Sequence, residues 1–167
     1  MKKWSVKGQT EMSFGMIFSI ILIIFFLTFA FFGIKIFLGI QDSAKTTKFL
    51  SDMQSDIDKA WRSSQSSQEK VYSLPSKNEE VCFVDFASSS RGQNSGIYDE
   101  LKRAYYGSEN MVFYPVDFEE TESTRINNID LERITEEENP FCIKNVDGKV
   151  GLRLTKDLSD ALVTLER

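Results

Sequence analysis

Hydrophobic positions are spread very unevenly along this chain. From Met12 to Ile34 there are 23 consecutive residues without a charge, bounded by Glu11 and Lys35, and the apolar pattern resumes as Ile36-Phe37-Leu38-Gly39-Ile40. A helix of that length rises roughly 34 Å at about 1.5 Å per residue, enough for a hydrocarbon core of about 30 Å. The segment is apolar on every side, so it reads as a membrane-spanning helix and not as an amphipathic surface helix. It is also longer than the apolar stretch of a secretory signal peptide, so retention of the helix is expected. Beyond it, Phe49, Leu50, Met53, Ile57, Ala60 and Trp61 recur at helical spacing. They predict a stalk helix reaching about Arg62, whose stripe packs on a partner helix or on the sheet of its own domain. The run Ser63-Ser64-Gln65-Ser66-Ser67-Gln68 breaks the stripe and reads as a polar connector.

After Pro75 the periodicity becomes that of strands. Val81-Cys82-Phe83-Val84-Asp85-Phe86 and Met111-Val112-Phe113-Tyr114 are apolar runs, the second stopped by Pro115. Between them, residues 87–96 form a loop by composition. Ile97, Leu101, Ala104 and Tyr105 then fit a short helix, with Asp99 and Glu100 expected in its first turn and Lys102 and Arg103 later. Residues 117–139 read as a long polar excursion with a marginal strand or turn at Ile129-Asp130-Leu131. Asp147-Gly148 lies between Phe141-Cys142-Ile143-Lys144-Asn145-Val146 and Lys149-Val150-Gly151-Leu152-Arg153-Leu154, the signature of a hairpin with a type I′ turn. Ala161-Leu162-Val163-Thr164-Leu165 closes the pattern as a strand. The predicted fold class is α+β: a long N-terminal transmembrane and stalk helix packed on a mainly antiparallel sheet in a small C-terminal domain. The expected divisions are a basic tip at 1–11, the transmembrane helix at 12–40, the stalk helix and connector at 41–69, and the α+β domain at 70–167.

Charge changes the picture of what the domain can touch. The 167-residue chain carries a net charge of −5, of which residues 1–40 contribute +3 and residues 41–167 therefore −8. An acidic domain lacks the basic face that nucleic-acid binding requires, so no nucleic-acid partner is expected. Lys2, Lys3 and Lys7 precede the helix, while Lys35, Lys45 and Lys48 follow it. The basic tip favours an N-inside orientation, a cell-membrane location and an extracellular C-terminal domain. Within the span, Gly15 and Ser19 stand four apart and offer a small-residue contact to another helix. Lys35 can carry its ammonium to the headgroups.

The candidate chemistry is sparse. There is no histidine, which removes the commonest general base and zinc ligand. Cys82 and Cys142 are too few for a structural zinc site; they are either two buried thiols or a disulfide, and an outward-facing domain favours the disulfide. The clusters Glu119, Glu120, Glu122 and Glu136, Glu137, Glu138 lack the spacing of a calcium loop and read as solvated faces. Ser88-Ser89-Ser90 with Arg91 reads as an ordinary serine-rich loop. No nucleophile elbow, Walker A or dinucleotide motif is present. No catalytic residue, metal ligand or cofactor is predicted, and the chain is read as a non-enzyme.

Immediately before the apolar helix, Lys7-Gly8-Gln9-Thr10-Glu11-Met12 resembles the start of an archaeal type IV pilin-like protein. The resemblance covers about 30 residues. It implies cleavage after Gly8 by a prepilin peptidase, a new terminus at Gln9, and a role for Glu11 in setting the register between subunits. Here Glu11 lies two positions nearer the cleavage point than is usual, and Gln9 stands where a phenylalanine often begins a mature bacterial pilin. Together these features predict a membrane-anchored, pilin-like surface subunit that assembles through its N-terminal helix, with Gly15, Ser19, Leu50, Met53, Ile57 and Trp61 as helix-packing positions. The alternative is an unprocessed accessory subunit that docks a non-catalytic outer domain on a larger membrane protein. The expected partners are the lipid bilayer and either further copies of the chain or another membrane protein.

Overall fold

The computed structural model describes residues 14–105, 107–116 and 124–167. Its elements, in chain order, are α1 (Phe14–Arg62), β1 (Ser66–Ser73), β2 (Glu80–Phe83), α2 (Ser95–Ala104), β3 (Met111–Tyr114), α3 (Leu131–Ile134), β4 (Phe141–Lys144), β5 (Lys149–Lys156) and β6 (Thr164–Glu166). The chain divides into two units, Met1–Gln41 and Asp42–Arg167. The fold class is α+β, with one long apolar N-terminal helix and two small antiparallel sheets.

In the first unit every described residue from Phe14 to Gln41 is exposed. Among the described residues of this unit, the side-chain hydroxyls that would sit awkwardly in hydrocarbon are satisfied within the helix. Ser19 Oγ donates to the Gly15 carbonyl at 2.7 Å and Thr28 Oγ1 to the Ile24 carbonyl at 2.8 Å. Such back-bonding one turn away is how a helix accommodates hydroxyls where water is scarce.

In the second unit the closing part of α1 buries Thr46, Phe49, Met53, Ile57 and Ala60, a single face at steps of three and four residues. Sequence β1-β5-β6 forms one sheet and β3-β2-β4 the other. One core joins the buried face of α1 to both sheets through Tyr72, Leu74, Val81, Phe83, Met111, Phe113, Ile143, Val150, Leu152, Leu154 and Leu165. Phe49 sits at its centre, with ring centroids 5.7 Å from Tyr72 and 5.9 Å from Phe113 in edge-on packing. The opposite face of the β3-β2-β4 sheet forms a second cluster, Cys82, Val84, Val112 and Cys142, covered by Tyr98 and Leu101 of α2 together with Tyr105. Burial on both faces explains why β2, β3 and β4 lack an alternating polar pattern, whereas β5 alternates exposed and buried positions.

Four expectations need correction. Ser66, Ser67 and Gln68 are not connector but the start of β1, paired with Lys156, Thr155 and Leu154. Cross-strand pairing overrides the weak local preference of serine, and Ser66 is buried. Asp99 and Glu100 fall beyond the first turn of α2, which begins at Ser95. The described part of the excursion, residues 124–139, is tied into the domain: Thr124 bridges Met111, Ile129 bridges Val163 in parallel, and Asp130 caps α3 by accepting from the Arg133 N–H at 3.1 Å. Asp147-Gly148 does form the expected turn, with φ of 53° and 76°, but the hairpin ladder stops after one bridge, Val146 to Lys149. The Leu74–Glu79 connection takes up the flanking groups: Leu74 N–H donates to the Gly148 carbonyl at 2.9 Å, and Asn145 N–H to the Glu79 carbonyl at 2.7 Å. β4 then pairs with β2 while β5 joins β1 and β6.

Candidate functional site

Gly8, Gln9 and Glu11, the residues of the resemblance, lie outside the described residues. Gly15 and Ser19 are joined to each other by the hydrogen bond within α1. Of the stalk stripe, Met53 and Ile57 are fully buried and Leu50 packs partly against the same core. Trp61 is 40% exposed, its Nε1 donating to the Ala161 carbonyl at 3.0 Å. The buried stripe of α1 is thus occupied by its own domain, and the alternative of a partner helix on that face is closed.

Cys82 and Cys142 are directly opposed on β2 and β4 and form a disulfide across 60 residues of sequence, with Cα atoms 4.0 Å apart. Glu80 lies two positions before Cys82, so its carboxylate and the two sulfurs fall within 4.8 Å of one another. Joined as a disulfide, the sulfurs are not thiolates, and the trio is no metal centre in this state.

Two adjoining hollows open around α3. One, of about 460 Å³, is lined by Asp85, Ser88, Arg91, Asp130, Arg133 and Glu136 among others. Its neighbour, of about 760 Å³, shares Arg133 and Glu136 and extends to Glu137, Glu138, Phe141 and Arg167. The charged groups here are mostly committed to holding backbone. Asp85 accepts from the Ala87 N–H and the Ser88 hydroxyl, and Asp130 caps α3. Arg133 pairs with Asp160 at 3.3 Å, and Arg91 Nη1 donates to the Glu136 carbonyl at 3.2 Å. Arg167 pairs with Glu138, donates from Nε to the Cys142 carbonyl at 2.9 Å and stacks over Phe141 at 4.5 Å. Among the described residues, Glu132, Glu136 and Glu137 remain exposed and outside every ion pair. The serine loop carries Ser88 against Asp85 with no base beyond it, an arrangement that orders a turn.

No family model, curated protein or solved structure matches the chain. The chemistry must therefore be read from its own geometry.

That geometry concentrates electrostatic organisation on α1. Asp56 Oδ1 pairs with Lys59 at 2.9 Å; its Oδ2 lies 3.3 Å from Lys70 and accepts from the Tyr72 hydroxyl at 3.3 Å. Burial pushes the Asp56 carboxyl up, but hydrogen bonds and charge from Lys59 and Lys70 outweigh it and hold the group below its ordinary value. Tyr72 is raised by its burial first and by the Asp56 charge second. Neither effect was visible in the chain, because Asp56, Lys70 and Tyr72 meet only when β1 lies against α1. α1 also contains a stretch long and apolar enough to cross a membrane.

Proposed function

We propose that this protein is a single-pass, membrane-anchored surface subunit of pilin-like plan, processed after Gly8 by a prepilin peptidase and assembling through its N-terminal helix. The observation that carries this reading is the division of labour along α1. Its residues from Phe14 to Ile40 bury nothing, while the same helix contributes Phe49, Met53, Ile57 and Ala60 to the core of an α+β domain. A helix that offers one half to an apolar environment and roots a folded domain with the other suits an anchor that is also an assembly element. The disulfide supports an outward-facing domain, because such bonds persist in oxidising compartments. Most of the charged groups lining the hollows around α3 are engaged in caps and ion pairs, which accords with a structural role for the domain.

The test is intact mass and N-terminal sequence of protein isolated from native membranes, with microscopy of the expressing cells. A terminus at Gln9 together with extended polymers supports the proposal. An uncleaved terminus on a protein that co-purifies stoichiometrically with a larger membrane protein overturns it in favour of the accessory-subunit alternative.

A further inference from the structure

The larger hollow beside α3, of about 760 Å³, has a floor and a rim of different chemistry. Ile134 and Leu165 are buried beneath it and Phe141 is half-buried at its side, so an apolar group can rest there. Four carboxylates line it, those of Glu136, Glu137, Glu138 and Glu166, against the two guanidiniums of Arg133 and Arg167. Both guanidiniums are engaged, Arg133 with Asp160 and Arg167 with Glu138 and the Cys142 carbonyl. Glu166 stands opposite Arg153 of β5, which is itself paired with Glu69. Glu136 and Glu137 are exposed and outside every ion pair among the described residues. The lining groups thus keep an excess of two negative charges, and the carboxylates of Glu136 and Glu137 are available to a cation.

A second, independent observation lies in the wall. Thr164 lines the same hollow and is only 7% exposed, yet its Oγ1 has no hydrogen-bond partner among the described residues. Its neighbour across the ladder, Thr155, gives its own hydroxyl to the Thr164 carbonyl and to Glu166 Oε1. Buried polar atoms are nearly always paired, so a hydroxyl left over beside a hollow calls for a polar group that enters from outside the chain. The rim is fixed by packing: a Cβ at Gly92 would come 3.1 Å from the Glu137 carbonyl, so only glycine lets the two backbones lie this close.

We propose that the hollow between α3, β4 and β6 binds a primary alkylammonium group, its nitrogen held by Thr164 Oγ1 and the Glu136 and Glu137 carboxylates and its carbon stem lying over Ile134, Phe141 and Leu165. An ammonium has three donors and no acceptor, which matches a hydroxyl lone pair beside carboxylates. The hydroxyl is recessed, which favours the compact ammonium over the broader, planar guanidinium fork. Free aliphatic diamines and the lysine side chains of a partner protein both carry this group. The site does not depend on polymerisation of the chain.

The experiment titrates the full chain, carbon-13 methyl-labelled in phosphatidylcholine nanodiscs, with n-pentylammonium and follows the methyl resonances of Ile134, Thr164 and Leu165. Saturable shifts centred on these methyls are expected, with none from n-pentanol. The Glu136→Gln/Glu137→Gln variant should weaken binding about fivefold, as for exposed charge pairs, and added salt should weaken it in the parent protein. Thr164→Val should also cost about fivefold, the worth of one hydrogen bond, while Thr164→Ser should bind as the parent does; distant methyl resonances that stay in place show that each variant is folded. A lack of saturable shifts, an equal response to n-pentanol, or unchanged affinity in Thr164→Val overturns the site, and tighter binding of n-propylguanidinium overturns its preference for ammonium. Within a site that passes, tighter binding of cadaverine than of an acetylated Gly-Lys-Gly peptide supports a free diamine as the ligand, and the reverse order supports a lysine of a partner protein.

Discussion

The side-chain amide of Asn139 pairs with both backbone groups of Asp85: its Oδ1 accepts from the Asp85 N–H at 3.1 Å, and its Nδ2 donates to the Asp85 carbonyl at 2.8 Å. The same Nδ2 also donates to the Ser89 carbonyl at 3.2 Å, and the backbones of Asn139 and Arg91 exchange two hydrogen bonds. Asn110 repeats the device on Ile126, accepting at 2.7 Å and donating at 2.8 Å. In both cases an amide side chain stands in for a strand neighbour, satisfying backbone groups where no ladder reaches them. The loops around the disulfide-bearing sheet are thereby held without regular structure.

Asn139→Ala should therefore destabilise the domain by about 2–3 kcal/mol, since partly buried backbone groups lose their partners. Asn139→Asp should cost at least as much, because it removes both Nδ2 donations and places a carboxylate at a fully buried position. Chemical denaturation of the two variants beside the parent protein checks both. A loss under 0.5 kcal/mol for the alanine variant, roughly that of a neutral surface change, would mean the clamp is dispensable.

Reduction of Cys82–Cys142, or the Cys82→Ala/Cys142→Ala variant, should lower the unfolding free energy by about 4 kcal/mol in the chain-entropy model for a loop of this length. Oxidised and reduced protein compared in urea at neutral pH gives the value directly. Equal midpoints for the two forms would show that the sheet pairing of β2 with β4 carries the closure alone.

Acid should weaken the domain through Asp56. Its folded-state carboxyl lies below the ordinary 3.8, so its contribution is complete above about pH 4 and is lost as pH falls through the folded value. Asp56→Asn should cost about 1–3 kcal/mol at pH 7 and flatten the acid limb of the stability profile. Thermal melts between neutral and strongly acidic pH supply the comparison; parallel limbs in the two proteins would exclude Asp56 as the titrating group.

At the alkaline end the relevant groups are Tyr72 and Tyr105, both raised chiefly by burial; Tyr72 is the one that faces Asp56. Its phenol is raised above the ordinary 10.0, so the folded state favours the protonated ring: stability is full below pH 10 and declines as pH rises above it. Tyr72→Phe should reduce that decline to the share contributed by Tyr105 while costing about 1 kcal/mol at neutral pH for the hydrogen bond to Asp56. Phenolate absorbance during alkaline titration, read against unfolding, is the measurement, and ionisation of Tyr72 near pH 10 in the folded protein would contradict it.

The apolar run from Met12, the helical stripe to Arg62, the short helix ending at Ala104 and most strand segments were legible in the chain, because each is governed by local periodicity. Composition likewise indicated the turn at Asp147-Gly148, whose positive φ at both central positions suits few other residue pairs. These features require no knowledge of what lies across from them.

What local pattern could not supply was partnership. β4 and β5 look like one hairpin in sequence, yet they belong to different sheets because the Leu74–Glu79 connection competes for the groups beside the turn. A serine-rich stretch became β1 because β5 lay ready to pair with it. Cys82 faces Cys142, Asn139 clamps Asp85, and Lys70 and Tyr72 reach Asp56 only once fourteen to sixty residues of chain have been folded back. The sequence by itself determined the apolar helix, the class of fold and the balance of charge, since those follow from residue type and spacing along one chain. The tertiary structure alone decided which strands pair, which charges are neutralised and which face of α1 is buried, since those depend on free energies shared between residues distant in sequence.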